Sequence, residues 1–229
     1  MRASFQEDLK LQETYQIKGD AAHHLVSVLR IEVNEEVLLL NGAGLSVKTK
    51  VSSISKKEIT LTKFDQFEEP RKLIMDLALG IPKKEALELS LKQAVELGFR
   101  KIYLVRAEFS QTRLPEAERL KSLLISAVEQ SNAPFLPEII HASWEDIPTT
   151  EYAEILLMDS QNKSKNANAV TGLAARLLIV GPEGGFSQNE SKILHNLPKI
   201  RILNLPTPIL RTPTAVAAGA GILLGSLLD

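Results

Sequence analysis

A small β-rich N-terminal domain followed by a larger α/β domain with a mostly parallel sheet is the fold class this sequence predicts. Three observations carry it. Up to residue 69, short runs alternate apolar and polar residues on a period of two between turn signals. Beyond residue 70, apolar strand-like runs alternate with helical patterns, the order that builds a parallel sheet covered by helices. Between them, Glu68-Glu69-Pro70-Arg71 interrupts both textures with charge and proline, which places the domains at 1–69 and 70–229. A chain of 229 residues, 44% hydrophobic and 24% charged, has the length and composition to bury such a core.

Taken in order, residues 23–29 read as a short helix, and 37–40, 46–54 and 58–64 as strands. Asn41-Gly42-Ala43-Gly44 and Ser55-Lys56-Lys57 turn the chain between them. Residues 73–79 form an apolar strand, 84–97 an amphipathic helix ended by Gly98, and 101–105 the next strand. A helix over 115–131, strands over 138–142 and 155–158, and a polar loop with a short helix within 159–171 follow.

The chemistry concentrates in two later loops. Residues 177–180 are strand-like and run into Gly181-Pro182-Glu183-Gly184-Gly185-Phe186, after which Ser187 and Glu190 have the spacing of a capping box at a helix start. Glycine lets a backbone approach a ligand and proline stiffens the turn. A strand opening into a loop before a helix is where α/β sheets hold ligands, although an ordinary tight turn has the same pattern. The spacing matches neither phosphate-binding glycine motif, and Glu183 favours a cationic or hydroxyl-rich ligand over a phosphate. The second loop follows a short strand at 200–205. There Thr212 is a candidate N-cap and Pro213 a first helical residue. The final helix, over 214–228, carries Ala217, Gly221 and Gly225 at four-residue spacing, a face open to close backbone approach, either by a partner or by the sheet beneath.

Composition excludes other classes. Without cysteine there are no disulfides or thiolate metal sites, and the four histidines lack metal-ligand spacing, so no metal is expected. No apolar run is long enough to span a bilayer and no leader opens the chain, so a cytoplasmic protein is expected. A net charge of −1 gives no global pull on nucleic acid; RNA binding would need a local patch, for which Lys48, Lys50, Lys56, Lys57, Arg71 and Lys72 are candidates.

Several segments in this order resemble the SPOUT methyltransferases, and more narrowly their RsmE-like branch, the small-subunit ribosomal RNA uridine N3-methyltransferases. They are His23-His24-Leu25 through Val28-Leu29-Arg30, Ile81-Pro82-Lys83-Lys84-Glu85 through Lys92 and Glu96-Leu97-Gly98, Glu129-Gln130, Pro137, the glycine loop, and Ile209-Leu210-Arg211-Thr212. The resemblance covers nearly the whole chain. It implies a PUA-like RNA-binding barrel at the N-terminus and a trefoil-knotted α/β domain that holds S-adenosylmethionine between three loops. In this chain those loops would offer Met158 and Asp159; Gly181, Pro182, Glu183, Gly184, Gly185 and Phe186; and Leu205, Pro206, Ile209, Leu210 and Thr212. Arg211 would steady the uracil oxygens during methyl transfer, with Glu129 or Glu183 as general base. Arg30, Lys83 and Lys84 would touch RNA, and SPOUT proteins commonly form homodimers.

The family pattern also has arginines near three positions that are Phe109, Ala133 and Phe135 here. Arginine suits phosphate and stacked-base contacts, so another RNA substrate and a non-catalytic RNA-binding role stand as alternatives to small-subunit ribosomal RNA methylation. Both phenylalanines are expected in the core.

Overall fold

The computed structural model describes residues 1–55, 58–110, 113–161, 170 and 172–226. Met1–Arg71 with Ile125–Leu136 make one unit; Lys72–Leu124 with Pro137–Asp229 make the other.

In the first unit, β1 (Arg2–Phe5), β2 (Thr14–Lys18), β3 (Glu36–Leu40), β4 (Leu45–Ile54) and β5 (Glu58–Glu68) form one sheet in the order β1-β3-β4-β5-β2. All neighbours are antiparallel except β1 with β3. Pairing of β4 with β5 slips at Lys48/Thr49 and again at Val51/Ser53. Such irregularities bend a strand and raise its twist, so the sheet curls around its apolar face. That face carries Ile17, Val37, Leu39, Val47, Val51, Ile59 and Leu61, all buried. The strands β1 and β2 are additions to the sequence reading. The expected helix at 23–29 is split into α1 (Gly19–His23) and a π-helical turn (His24–Val28), after which Arg30 takes φ 51.

The second unit holds β6 (Met75–Gly80), β7 (Lys101–Val105), β8 (Glu138–Ala142), β9 (Glu154–Met158), β10 (Arg176–Val180) and β11 (Ile200–Leu203) in the order β11-β9-β10-β6-β7-β8. Every pairing is parallel. Because β6, β9 and β10 are buried along their whole length, they read as mostly apolar runs, with Asp76, Glu154 and Arg176 near their starts, rather than as alternating strands. One face packs Ile155, Leu157, Leu177 and Ile179 with Trp144, Tyr152 and Leu194 of α4 (Gln188–His195). After β10 the chain passes through α4 to β11 on the far side of β9. It then returns as α5 (Thr212–Gly225), which packs on β10, β9 and α2 (Lys84–Glu96). The remaining helix, α3, spans Ala117–Ser131.

Two details of the last helix differ from expectation. Arg211, not Thr212, occupies the N-cap, which makes Thr212 the first helical residue and places Pro213 one position further in. There the missing N–H is still one the helix would leave unsatisfied. The close-packed small residue is Gly219, whose Cβ, if present, would lie 2.5 Å from Leu178 Cδ1. Gly221 and Gly225 have nothing within 4 Å, so the face at four-residue spacing is not packed on the sheet. Residues 162–169 and 171 of the polar loop, Lys56 and Lys57, and the end of the last helix beyond 226 lie outside the described residues.

Candidate active site

Parallel strands bring all their carboxyl ends to one edge, and there three connections close around a cavity of about 260 Å³. Small-molecule sites run from ~300 to 1,000 Å³, so this one is near the lower end. Met158, Asp159, Ser160 and Gln161 enter from β9, Val180 through Phe186 from β10, and Leu203, Asn204, Leu205 and Thr207 through Leu210 from β11, with Thr212 and Ala215 on α5.

Local chemistry shapes each wall. The glycine loop turns by donating the Gly185 N–H to the Pro182 carbonyl at 2.9 Å. Gly185 sits at φ 72, which only glycine adopts without strain. The capping box expected at Ser187 is present: its hydroxyl accepts the Glu190 N–H at 3.3 Å, and its own N–H donates to Glu190 Oε2 at 2.8 Å. Glu190 Oε1 also accepts Trp144 Nε1 at 2.9 Å and the Glu108 N–H at 3.0 Å. Burial opposes the Glu190 charge, but the Ser187, Trp144 and Glu108 donors outweigh it and hold the carboxyl below its ordinary value of 4.5.

The two loops singled out in the sequence meet directly. Thr212 Oγ1, buried, donates to the Gly181 carbonyl at 3.2 Å. This explains why Thr212 does not cap its helix: its hydroxyl is turned to the glycine loop. On the third wall, Asp159 donates its N–H to the Leu203 carbonyl at 3.1 Å and accepts the Gln161 N–H at 2.9 Å, and its second oxygen lies 3.0 Å from His195 Nε2. Asn204 Nδ2 donates to the Ser160 carbonyl at 3.1 Å, joining the first and third loops.

Asp159 and Glu183 are the charged side chains among the described lining residues. A lining without a basic group repels phosphate and tolerates a cation. The sulfonium donor implied by the resemblance therefore fits, with Asp159 and Glu183 on its walls and backbone groups of the three loops as hydrogen-bonding partners for a nucleoside.

Every residue expected at the cofactor lines this cavity except Pro206, which is exposed and absent from the described lining. Glu183 holds its position by accepting the Lys83 N–H on both oxygens at 3.2 Å, so it ties the glycine loop to the start of α2. Arg211 lies between Leu210 and Thr212, both lining residues, and is exposed without a polar partner among the described residues. Glu129 is not brought to the described lining: it belongs to the first unit, where its carboxylate accepts the Phe5 N–H of β1 at 2.8 Å. Lys83 and Lys84 are exposed at the start of α2, and Arg30 is exposed in the first unit. Of the basic patch, Lys48 is paired with Asp65 at 2.9 Å and Arg71 stacks over Phe135 at 4.2 Å from the ring centroid. Phe109 is 43% exposed, not in the core; its side chain packs on Gly184 of the glycine loop. Gln161, Ser191 and Ala215 line the cavity without having been singled out; only Ala215, one turn into a helix of small residues, carried a hint.

A family model for RNA methyltransferase domains matches residues 68–224, and one for RNA methyltransferase PUA domains matches residues 17–64. Ribosomal RNA small subunit methyltransferase E of Rickettsia conorii is 30% identical over 213 residues, spanning 89% of this chain and 87% of that one. The protein of the same name from Aquifex aeolicus is 30% identical over 222 residues, spanning 90% and 92%. The crystal structure of ribosomal RNA small subunit methyltransferase E from Neisseria gonorrhoeae bound to S-adenosyl methionine aligns with a TM-score of 0.84 at 23% identity, covering 99% of this chain and 98% of that one. That last likeness bears on the fold. The matched sequence, the parallel sheet with its returning last helix and the curled N-terminal sheet agree: this chain belongs to the RNA methyltransferase family, a SPOUT trefoil-knot domain behind a PUA-like domain.

Proposed function

We propose that this protein is an S-adenosylmethionine-dependent methyltransferase acting on N3 of a uridine in small-subunit ribosomal RNA. The observation that carries it is the meeting of the glycine loop with the start of α5, Thr212 to Gly181, around a cavity whose charged lining is acidic. The similarity to relatives named ribosomal RNA small subunit methyltransferase E supports the substrate.

The donor supplies an electrophilic methyl group; the protein supplies position and charge. Gly181 to Phe186 crosses one wall of the cavity with backbone close to its contents, and Asp159 holds the opposite wall against β11. Arg211 leaves the cavity rim at the N-cap of α5, where its guanidinium would meet the uracil oxygens on which negative charge gathers as the N3 proton leaves to water; N3 would then take the methyl group as that group's bond to sulfur breaks, and the charge is discharged. Glu183 keeps the glycine loop against α2. The N-terminal unit, with exposed Arg30, binds RNA. The chain works in the cytoplasm, where ribosomal RNA is found, as a homodimer that uses the open face of Gly221 and Gly225. Light scattering at twice the chain mass is the expected result.

Mass mapping of ribosomal RNA from cells lacking the protein tests the reaction: one methyl-uridine of the small subunit should disappear and return with the purified enzyme. Arg211→Ala should lower kcat about 100-fold with donor affinity unchanged, and full turnover would remove Arg211 from the mechanism. Phe109, Ala133 and Phe135, where the family carries arginines, favour a second reading in which the same chemistry serves another RNA. Methylation of transfer or large-subunit RNA, with none on the small subunit, would select it.

A further inference from the structure

Phe109 has a placement that core packing does not explain. It follows β7 at the carboxyl edge of the sheet, and its backbone is fixed on one side by Glu190, which accepts the Glu108 N–H at 3.0 Å. On the other side it is pressed against the glycine loop: a Cβ on Gly184 would lie 2.7 Å from Phe109 Cβ. Its side chain is nonetheless 43% exposed. Its neighbours are equally open. Arg106 and Arg113 are both exposed, and neither makes an ion pair or hydrogen bond among the described residues. Glu108 is the one acidic residue between Arg106 and Phe109, and its N–H is already engaged.

A single exposed phenylalanine on a surface needs no explanation. One packed on Gly184 of the loop that lines the donor cavity, with two exposed guanidinium groups close by in sequence that form no ion pair among the described residues, has the composition of a single-strand binding element. We propose that Arg106, Phe109 and Arg113, which lie between β7 and α3, form an RNA-binding element, in which Phe109 is the platform for an unpaired base and Arg106 and Arg113 hold neighbouring phosphates. It extends the function proposed above by assigning a substrate contact beside the cavity. The platform also makes glycine obligatory at 184, since any side chain there would displace Phe109.

The test reads RNA binding without requiring turnover. A short fluorescein-labelled single-stranded oligoribonucleotide is titrated by anisotropy into the full chain, and S-adenosylmethionine binding to the same variants is measured by calorimetry. Phe109→Leu keeps an apolar contact with Gly184 but removes the aromatic face; it should weaken RNA binding about tenfold and leave donor affinity within about twofold. Phe109→Tyr should restore RNA binding. Arg106→Gln should reduce the slope of log affinity against log salt by about 0.7, the value for one phosphate contact on a single strand. Wild-type RNA affinity in Phe109→Leu would overturn the platform, as would a parallel loss of RNA and donor affinity that Phe109→Tyr fails to restore, since that marks a packing role alone. Failure of the wild-type enzyme to methylate small-subunit ribosomal RNA would instead overturn the function proposed above and leave the binding result standing.

Discussion

Glu190 shows how one side chain can serve a helix, a loop and the pH response together. Its two oxygens accept the Ser187 N–H, the Trp144 indole and the Glu108 N–H, so it starts α4 and anchors the segment that carries Phe109. A glutamine has one acceptor oxygen, so Glu190→Gln leaves at least one of these donors unsatisfied, at a cost of about 1–3 kcal/mol. The sign of the pH effect follows from the depressed carboxyl. The stabilisation is fully present above the ordinary glutamate value of 4.5 and is lost as pH falls through the lower folded value. Denaturant melts should therefore separate wild type from Glu190→Gln near neutrality and bring them together in acid. A gap that persists in acid would mean that packing, not charge, distinguishes them.

Among the elements, α5 decides whether the cavity exists. Its N-terminus supplies Thr212 to the glycine loop, and its body sits on β10 through Gly219, which meets Leu178 and Met158. Alanine normally improves a helix interior over glycine by about 1 kcal/mol. Here the added methyl would lie 2.5 Å from a side chain that is itself fully buried, and overpacking costs about 1–3 kcal/mol. Gly219→Ala should therefore lower stability by about 1 kcal/mol despite its better propensity, read as an earlier urea midpoint; an equal or later midpoint would show that Leu178 has room to yield.

For the whole molecule, charge is divided between the two edges of the parallel sheet. Near the amino ends of its strands, buried ionic groups are paired. Asp76 takes two hydrogen bonds from Arg100 and one from the Tyr152 hydroxyl, whose proton burial holds far above the ordinary range, and Arg176 faces Glu154 at 3.4 Å. At the carboxyl ends Arg106 and Arg211 are exposed, and neither side chain forms an ion pair among the described residues. The N-terminal unit is likewise discontinuous in sequence. Residues 125–136 join it through Glu129 to Phe5, Gly44 N–H to the Pro134 carbonyl, Leu136 N–H to the Gly42 carbonyl and Arg71 on Phe135. A fragment of 70–229 loses Phe5, Gly42 and Gly44 and keeps only Arg71 of these partners, so it should melt well below the full chain and aggregate on size exclusion. A soluble fragment with an unchanged melt would show that 125–136 stands without them.

Much of this protein was legible from local rules. Strands β7 and β8 match their expected bounds, because apolar runs cut by Gly98 and Pro137 leave little choice, and the capping box at Ser187 is a contact between neighbours in sequence. The ligand loops were readable for the same reason: glycine and proline record a backbone requirement where it arises. What each polar side chain does was settled only by the tertiary structure. Glu129 bonds to Phe5, Glu183 to the Lys83 N–H, Thr212 to the Gly181 carbonyl, and Phe109 rests on Gly184. Each partner is 31 or more residues away, and residue type fixes only what a group can bond to, whereas the path of the chain decides what it meets.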